Sequence, residues 1–134
     1  MPTRITACYL GDEQVEVEHG PTGHRFVTDL PPDNGGKGRT FSPTDLLVAS
    51  TSSCILTIMA ELAHREGVDL AGASLVLEKE MSAAPRKVAR LTGTLRLPPG
   101  IPPELKPKLA ACIRACPVSR SLHPDLVLDI TVEG

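Results

Sequence analysis

The cysteines are where this chain could do chemistry, and their surroundings differ. Cys54 lies in the middle of a long apolar run, with Ser50, Thr51, Ser53 and Thr57 close by. Cys112 and Cys116 are four residues apart, and Pro117 follows the second directly. Cys8 stands alone near the N-terminus and is expected to pack. A thiol becomes a nucleophile only as a thiolate, so a reactive cysteine needs something that lowers its pKa. Two readings of Cys54 therefore stand side by side. It is a small hydrophobe in a buried helix, or it is a nucleophile activated by a cation from elsewhere. Its own helix offers no charge one turn away. Asp45, nine residues back, lies about 180° around and roughly 13 Å along the axis, out of reach. Arg25 and Arg39, in or beside the loop before the helix, are the available cations.

Cys116 has the same two readings. It continues an apolar stripe, which suits packing. Its place before Pro117 also sets it at the start of a new helical piece, where the dipole favours a thiolate. Cys112, one turn earlier, is expected in the core. Cys112, Cys116 and His123 fall one short of the four ligands that structural zinc takes. The four histidines, His19, His24, His64 and His123, are scattered. A Cys–His hydrolase would need the fold to carry one of them to Cys54.

The elements that hold these residues can be read from periodicity and punctuation. Ser42 is a good N-cap, Pro43 suits the first helical position, and Asp45 completes a Ser-x-x-Asp start. The run from there to Gly67 predicts one helix of about 24 residues, roughly 36 Å long. Leu46, Leu47, Val48, Ala49, Ile55, Leu56, Ile58, Met59, Leu62 and Ala63 cover most of its circumference, so burial nearly all round is expected. That is long for so small a domain, and a partner chain is expected to share in covering it. Residues 3–10 and 13–19 predict a hairpin turning at Gly11-Asp12, and 24–29 a third strand. Residues 30–39 form a loop without the Gly-Lys-Ser/Thr of a phosphate cradle. Alternation over 73–81 and 88–97 predicts a second hairpin, and over 126–133 a last strand. Between them, Leu105, Leu109, Cys112, Ile113 and Cys116 mark one face of a helix over about 104–115, with a short helical piece after Pro117. The order β-β-β-α-β-β-α-β predicts an α+β domain with a mainly antiparallel sheet.

At 134 residues the chain is expected to be a single domain, residues 1–134. Aromatic residues make up only 2%, so its core must be aliphatic. A net charge of −2 with mixed signs argues against a nucleic-acid or membrane-surface partner. No signal-peptide pattern opens the sequence, so a cytoplasmic location and reduced thiols are expected.

Phe41-Ser-Pro-Thr-Asp-Leu-Leu47, the small-residue run to Ser53-Cys54, and Ala115-Cys-Pro-Val118 followed by Ser121-Leu122 resemble the OsmC/Ohr superfamily of osmotically inducible and organic hydroperoxide resistance proteins. The Asp33–Gly38 loop, the Glu80–Arg86 turn and the order of elements are similar too. The resemblance covers about residues 15–133. It implies an intertwined homodimer with sheets wrapped around two long central helices. It implies that Cys54 attacks a peroxide, preferably an organic hydroperoxide, and that Cys116 resolves the sulfenic acid to a disulfide. An external dithiol, a lipoyl group in one branch, restores the thiols. No metal, haem or flavin is implied. The peroxidase branches usually carry Glu directly after the helix-start Pro, paired with an Arg near the nucleophile. Here that position is Thr44, with Asp45 next, and Arg39 and Arg25 are the candidate arginines. The sequence thus looks like the OsmC-like branch. The alternative is a non-catalytic small-molecule-binding or stress-related protein on the same fold, with the cysteines as packing.

Overall fold

A computed structural model describes all 134 residues. The chain forms two compact units, Met1–Leu47 and Val48–Gly134. The boundary falls inside the long helix, α1, Pro43–Arg65.

The first unit is a three-stranded antiparallel meander, β1 (Ile5–Gly11), β2 (Gln14–His19) and β3 (Arg25–Asp29). The β1–β2 turn is tight because Gly11, Asp12 and Glu13 all take positive φ. Two of these carry side chains, and that conformation costs roughly 1–2 kcal/mol for each residue. Asp12 is held there by ion pairs described below. The meander buries little of itself. All of β1 before Gly11 is exposed, and Ile5, Tyr9, Leu10 and Phe26 are among the large exposed apolar side chains. A loop with a short 3-10 turn at Pro32–Asn34 leads on to α1.

The start of α1 follows its sequence closely. The Ser42 hydroxyl accepts the Asp45 N–H at 3.1 Å, and the Asp45 carboxylate accepts the Ser42 N–H at 2.9 Å. Two donors left over at the helix start are satisfied reciprocally, with Asp45 where Glu or Gln is more usual. The helix ends at Gly67, whose φ of +74° lets the Val68 N–H reach back to Ala63 O at 2.8 Å.

Burial of α1 differs from the expectation. Only Thr51, Ile55, Met59 and Ala63, spaced by four, are buried. Leu46, Leu47, Val48, Leu56, Ile58 and Leu62 remain half-exposed. One chain covers one strip of a cylinder that is apolar over most of its circumference. By length and composition the helix would even pass for a membrane span, as core helices of soluble proteins also do.

The second unit holds β4 (Ser74–Ala83) and β5 (Arg86–Arg96), an antiparallel hairpin, with β6 (Val127–Glu133) on the other side of β5. Leu75, Leu77 and Met81 are less exposed than Val76, Glu78 and Glu80, as the alternation required. Three of the four strand pairs are antiparallel, as expected, and the β5–β6 pair is parallel. A parallel neighbour needs a crossover, and here two helices supply it. They are α2 (Lys106–Ala115), entered through a 3-10 turn at Pro103–Leu105, and α3 (Pro117–Ser121). Ion pairs line the β5–β6 seam, Arg90 to Asp129 at 2.6 Å and Arg96 to Glu133 at 3.4 Å. The core is aliphatic. Leu91 and Leu95 from β5, Leu128 from β6, Leu109 and Ile113 from α2, and the buried strip of α1 are its main parts.

Candidate functional site

The two-helix crossover is where sequence and chemistry meet. Leu109, Cys112 and Ile113 fall on one face of α2 and are buried. The Cys112 thiol donates to Lys108 O within its own helix at 3.6 Å. Burial and the neighbouring Cys116 push its pKa up, which fits a core thiol. Pro117 then stops the helix, because its ring disfavours a helical conformation in the residue before it. Cys116 accordingly takes φ −68° and ψ 151°, an extended backbone, and becomes the N-cap of α3. Its side chain is fully buried.

Two hydrogen bonds meet the Cys116 sulfur, and a third anchors the Ser119 hydroxyl that makes one of them. The Ser119 N–H donates to it at 3.4 Å. The thiol meets the Ser119 hydroxyl at 3.0 Å. That hydroxyl donates to Ile113 O at 2.7 Å. Cys54, half-buried on α1, lies close enough to the Cys116 thiol and the Val118 N–H for both to act on its pKa. Two sulfurs far apart in sequence are therefore neighbours, and both are free thiols.

The electrostatics of Cys54 run against the nucleophile reading of its sequence. Burial, chiefly, and the adjacent Cys116 thiol push its pKa above the ordinary cysteine value. The Val118 N–H works the other way, since it stabilises a thiolate. No group acting on it from the second unit is a cation.

The candidate arginines have other partners in the first unit. Arg39 grips the buried carboxylate of Asp29 through Nε at 2.7 Å and Nη2 at 3.1 Å, and its backbone N–H adds a bond at 2.8 Å. The same guanidinium reaches Asp12, with Nη1 to the carboxylate at 2.9 Å and Nη2 to the backbone O at 3.0 Å. Lys37 completes the cluster on Asp12 at 2.9 Å. Arg39 holds the Asp29 carboxyl far below the usual carboxylate range, and Lys37 and Arg39 lower that of Asp12. Arg25 lies over β2, 3.5 Å from Glu18 and 4.0 Å from Glu16. Asp45 serves the α1 cap. The structure thus joins Cys54 to Cys116, and gives Arg39, Arg25 and Asp45 partners within the first unit.

Val118 and Ser119 were not singled out in the sequence. Ser119 had a signal, since it stands three residues after an N-cap, where a backbone N–H turns back to the cap. Asp12 and Asp29 had none, because a hairpin turn and a strand end seventeen residues apart meet only through the meander. No group of three or more His, Cys, Asp and Glu side chains is placed to hold a metal ion.

The family model for OsmC-like protein matches residues 36–131, which includes α1, both thiols and the crossover. The chain belongs to the OsmC-like family. Among solved structures, a protein from Psychrobacter arcticus 273-4 assigned to the osmotic stress induced and detoxification response superposes with a TM-score of 0.93. It is 32% identical, with 99% of this chain and 97% of that one covered. An organic hydroperoxide resistance protein OsmC from Legionella pneumophila gives a TM-score of 0.77 at 21% identity, covering 100% and 98%. The organic hydroperoxide resistance protein OhrB of Bacillus subtilis gives 0.70 at 13%, covering 99% and 98%. The last two likenesses speak for the fold alone. No curated protein matches the chain.

Proposed function

We propose that this OsmC-like protein is a thiol-dependent hydroperoxide reductase, with Cys54 as nucleophile and Cys116 as resolving cysteine. The observation that carries this reading is the meeting of two unlinked thiols at a helix junction, where the Val118 N–H favours a thiolate at Cys54. The names of the Legionella and Bacillus neighbours support an organic hydroperoxide as substrate. In the first step the Cys54 thiolate attacks the peroxide. An S–O bond forms, the O–O bond breaks, and the alkoxide leaves as the alcohol after taking a proton. In the second, Cys116 attacks the Cys54 sulfenic acid. An S–S bond forms, the S–OH bond breaks, and water leaves with the Cys116 proton. A dithiol, a lipoyl group being one candidate, then reduces the disulfide by exchange and is itself oxidised. A reducing cytoplasm is the setting that supplies it. No further cofactor enters this scheme.

The half-exposed apolar sides of α1 and the exposed apolar residues of β1 support a homodimer, with the two α1 helices at its centre. Such a partner would deepen the burial of Cys54. Neither Arg25 nor Arg39 is assigned the activating role. The raised pKa of Cys54 gives specific support to a second reading, a non-catalytic binder in which both thiols only pack.

One experiment separates the two. Reduced protein is mixed with cumene hydroperoxide and digested without reductant, and the peptides are weighed. A linked Cys54–Cys116 peptide is expected, with loss of two thiols for each chain. Four unchanged thiols after excess peroxide would overturn the reductase reading and favour the binder.

A further inference from the structure

We propose that Ser119 turns the Cys116 proton away from Cys54, so that Cys116 meets its neighbouring thiol with lone pairs. The assignment follows from counting protons. The Ser119 hydroxyl has one proton, and it lies 2.7 Å from Ile113 O. A carbonyl only accepts, so that proton points to Ile113. At 3.0 Å the Cys116 thiol must then be the donor to the Ser119 oxygen. A thiol also has one proton, so Cys116 has none left for its other neighbours. The Ser119 N–H at 3.4 Å can only donate, which again makes the Cys116 sulfur an acceptor. Cys54, beside it, therefore faces a lone pair and not a proton.

The consequence for the disulfide step rests on the reductase reading above. With its proton turned to Ser119, Cys116 offers its lone pairs to the Cys54 side, where the sulfenic sulfur will stand. During attack the S–S bond forms, the S–OH bond breaks, and the Cys116 proton leaves with the hydroxide as water. Ser119 does not keep that proton, because its own proton has only a carbonyl to go to. The Ser119 N–H steadies the charge that builds on Cys116 as the S–H loosens. Ser119 also lines a cavity of about 230 Å³, beside His123 and Leu122. The buried thiol is therefore one hydroxyl away from space that water can enter. Before any oxidant arrives, the same arrangement holds a proton on Cys54. Ser119 is thus a positioning residue with opposite effects on two steps. It restrains the first thiol and prepares the second.

The test uses full-length protein carrying Cys8→Ser and Cys112→Ser, so that only the two site thiols remain. Alkylation of Cys54 by iodoacetamide is followed against pH, and disulfide closure is driven by diamide. Ser119→Ala frees the Cys116 proton to turn toward Cys54. The Cys54 midpoint is expected to move down by about one unit, roughly a tenfold faster alkylation below the midpoint. Closure after the diamide adduct forms is expected to slow by a similar factor. Ser119→Thr, which keeps the hydroxyl, should restore both. Loss of α3 instead would speed alkylation of Cys116 as well as Cys54, and peptide mapping reads that directly. If Ser119→Ala does lose α3, the Thr variant decides. Wild-type behaviour in Ser119→Thr supports the assignment, and a Thr variant that shifts Cys54 as Ala does overturns it. An Ala variant with an unmoved or raised Cys54 midpoint, or with closure at the original rate, also overturns it. Diamide stands in for peroxide so that the two proposals fail separately. A protein indifferent to cumene hydroperoxide that still shows the Ser119 effects refutes the reductase reading and keeps this one.

Discussion

The two units of this chain solve opposite electrostatic problems. In the first, Arg39 and Lys37 surround Asp12 and Asp29, and both carboxylates are held in their charged form. In the second, Cys54, Cys116 and Ser119 form a chain of neutral donors and acceptors, and Cys54 is held in its uncharged form. A full charge on a buried side chain survives only with a partner of opposite sign. The first unit meets that condition inside the chain. The second offers its sulfurs no such partner, only backbone N–H groups, of Ser119 to Cys116 and of Val118 beside Cys54. The cluster with charges is therefore suited to holding a loop and a turn in place. The cluster without them is suited to chemistry that begins when a proton leaves.

The largest expected effect breaks the thiol side of this contrast. Cys54→Ser should abolish peroxide-driven thiol loss altogether, measured with cumene hydroperoxide and thiol titration. Cys116→Ser should still consume one equivalent of peroxide and leave a sulfenic acid that dimedone traps, with no intramolecular disulfide. Cys8→Ser, on an exposed strand, should change neither. Equal loss in all three variants would mean that the site is not built on this pair.

The charged side is broken at Asp29. Its side chain is buried and accepts from Arg39 and from the Leu30 N–H. Asp29→Ala leaves the Arg39 guanidinium with only Asp12 and should lower the melting temperature more than Asp12→Ala does. The pH dependence has a definite sign. The folded pKa of Asp29 lies below its unfolded value. Its contribution is fully present above the unfolded carboxylate value of about 3.9 and fades as pH falls below it. Acid titration from pH 5 to pH 2 should therefore show a loss of stability that is smaller in Asp29→Ala. A variant with the same acid slope as the parent would remove the cluster from this account.

Cys54 should show the reverse. A thiol pushed above its ordinary value is mostly protonated at neutral pH, and its thiolate fraction grows about tenfold per pH unit until the midpoint. Alkylation of Cys54 at pH 7 to 8.5 should climb on that slope without a plateau. A plateau near pH 7 would mean that a cation, from this chain or a second copy, sits on the sulfur and lowers its pKa.

How much of this could be read before any coordinates depended on the range of the interaction. The ends of α1 were legible because Ser42, Pro43, Asp45 and Gly67 act on backbone groups within one turn. The break at Cys116 was legible for the same reason, since a proline constrains the residue before it. The pairing of Cys54 with Cys116 was reached through resemblance to a family. Nothing in a spacing of sixty-two residues encodes a distance between sulfurs. The Arg39–Asp29 clamp was not legible, and the sequence offered Arg39 only as one of two candidate cations for the thiol. Alternation along β3 gives the face of Asp29, but not which guanidinium arrives there. The all-round burial expected of α1 was read from hydropathy, which reports what a helix would bury given enough cover.

The smallest expected effect tests whether the two units report on each other through that helix. Ser42→Ala removes the hydroxyl that accepts the Asp45 N–H, in the first unit, twelve residues before Cys54. Loss of an N-cap costs about 1 kcal/mol, and denaturant unfolding should show a drop of that order. The first turn of a helix frays without disturbing a site three turns further on, because each later N–H has its own carbonyl partner. The pH midpoint of Cys54 alkylation should therefore stay where it is. A midpoint that moved with the cap would mean that the neutral thiol chain depends on how α1 is anchored, and that the electrostatic contrast between the units is set by one shared element.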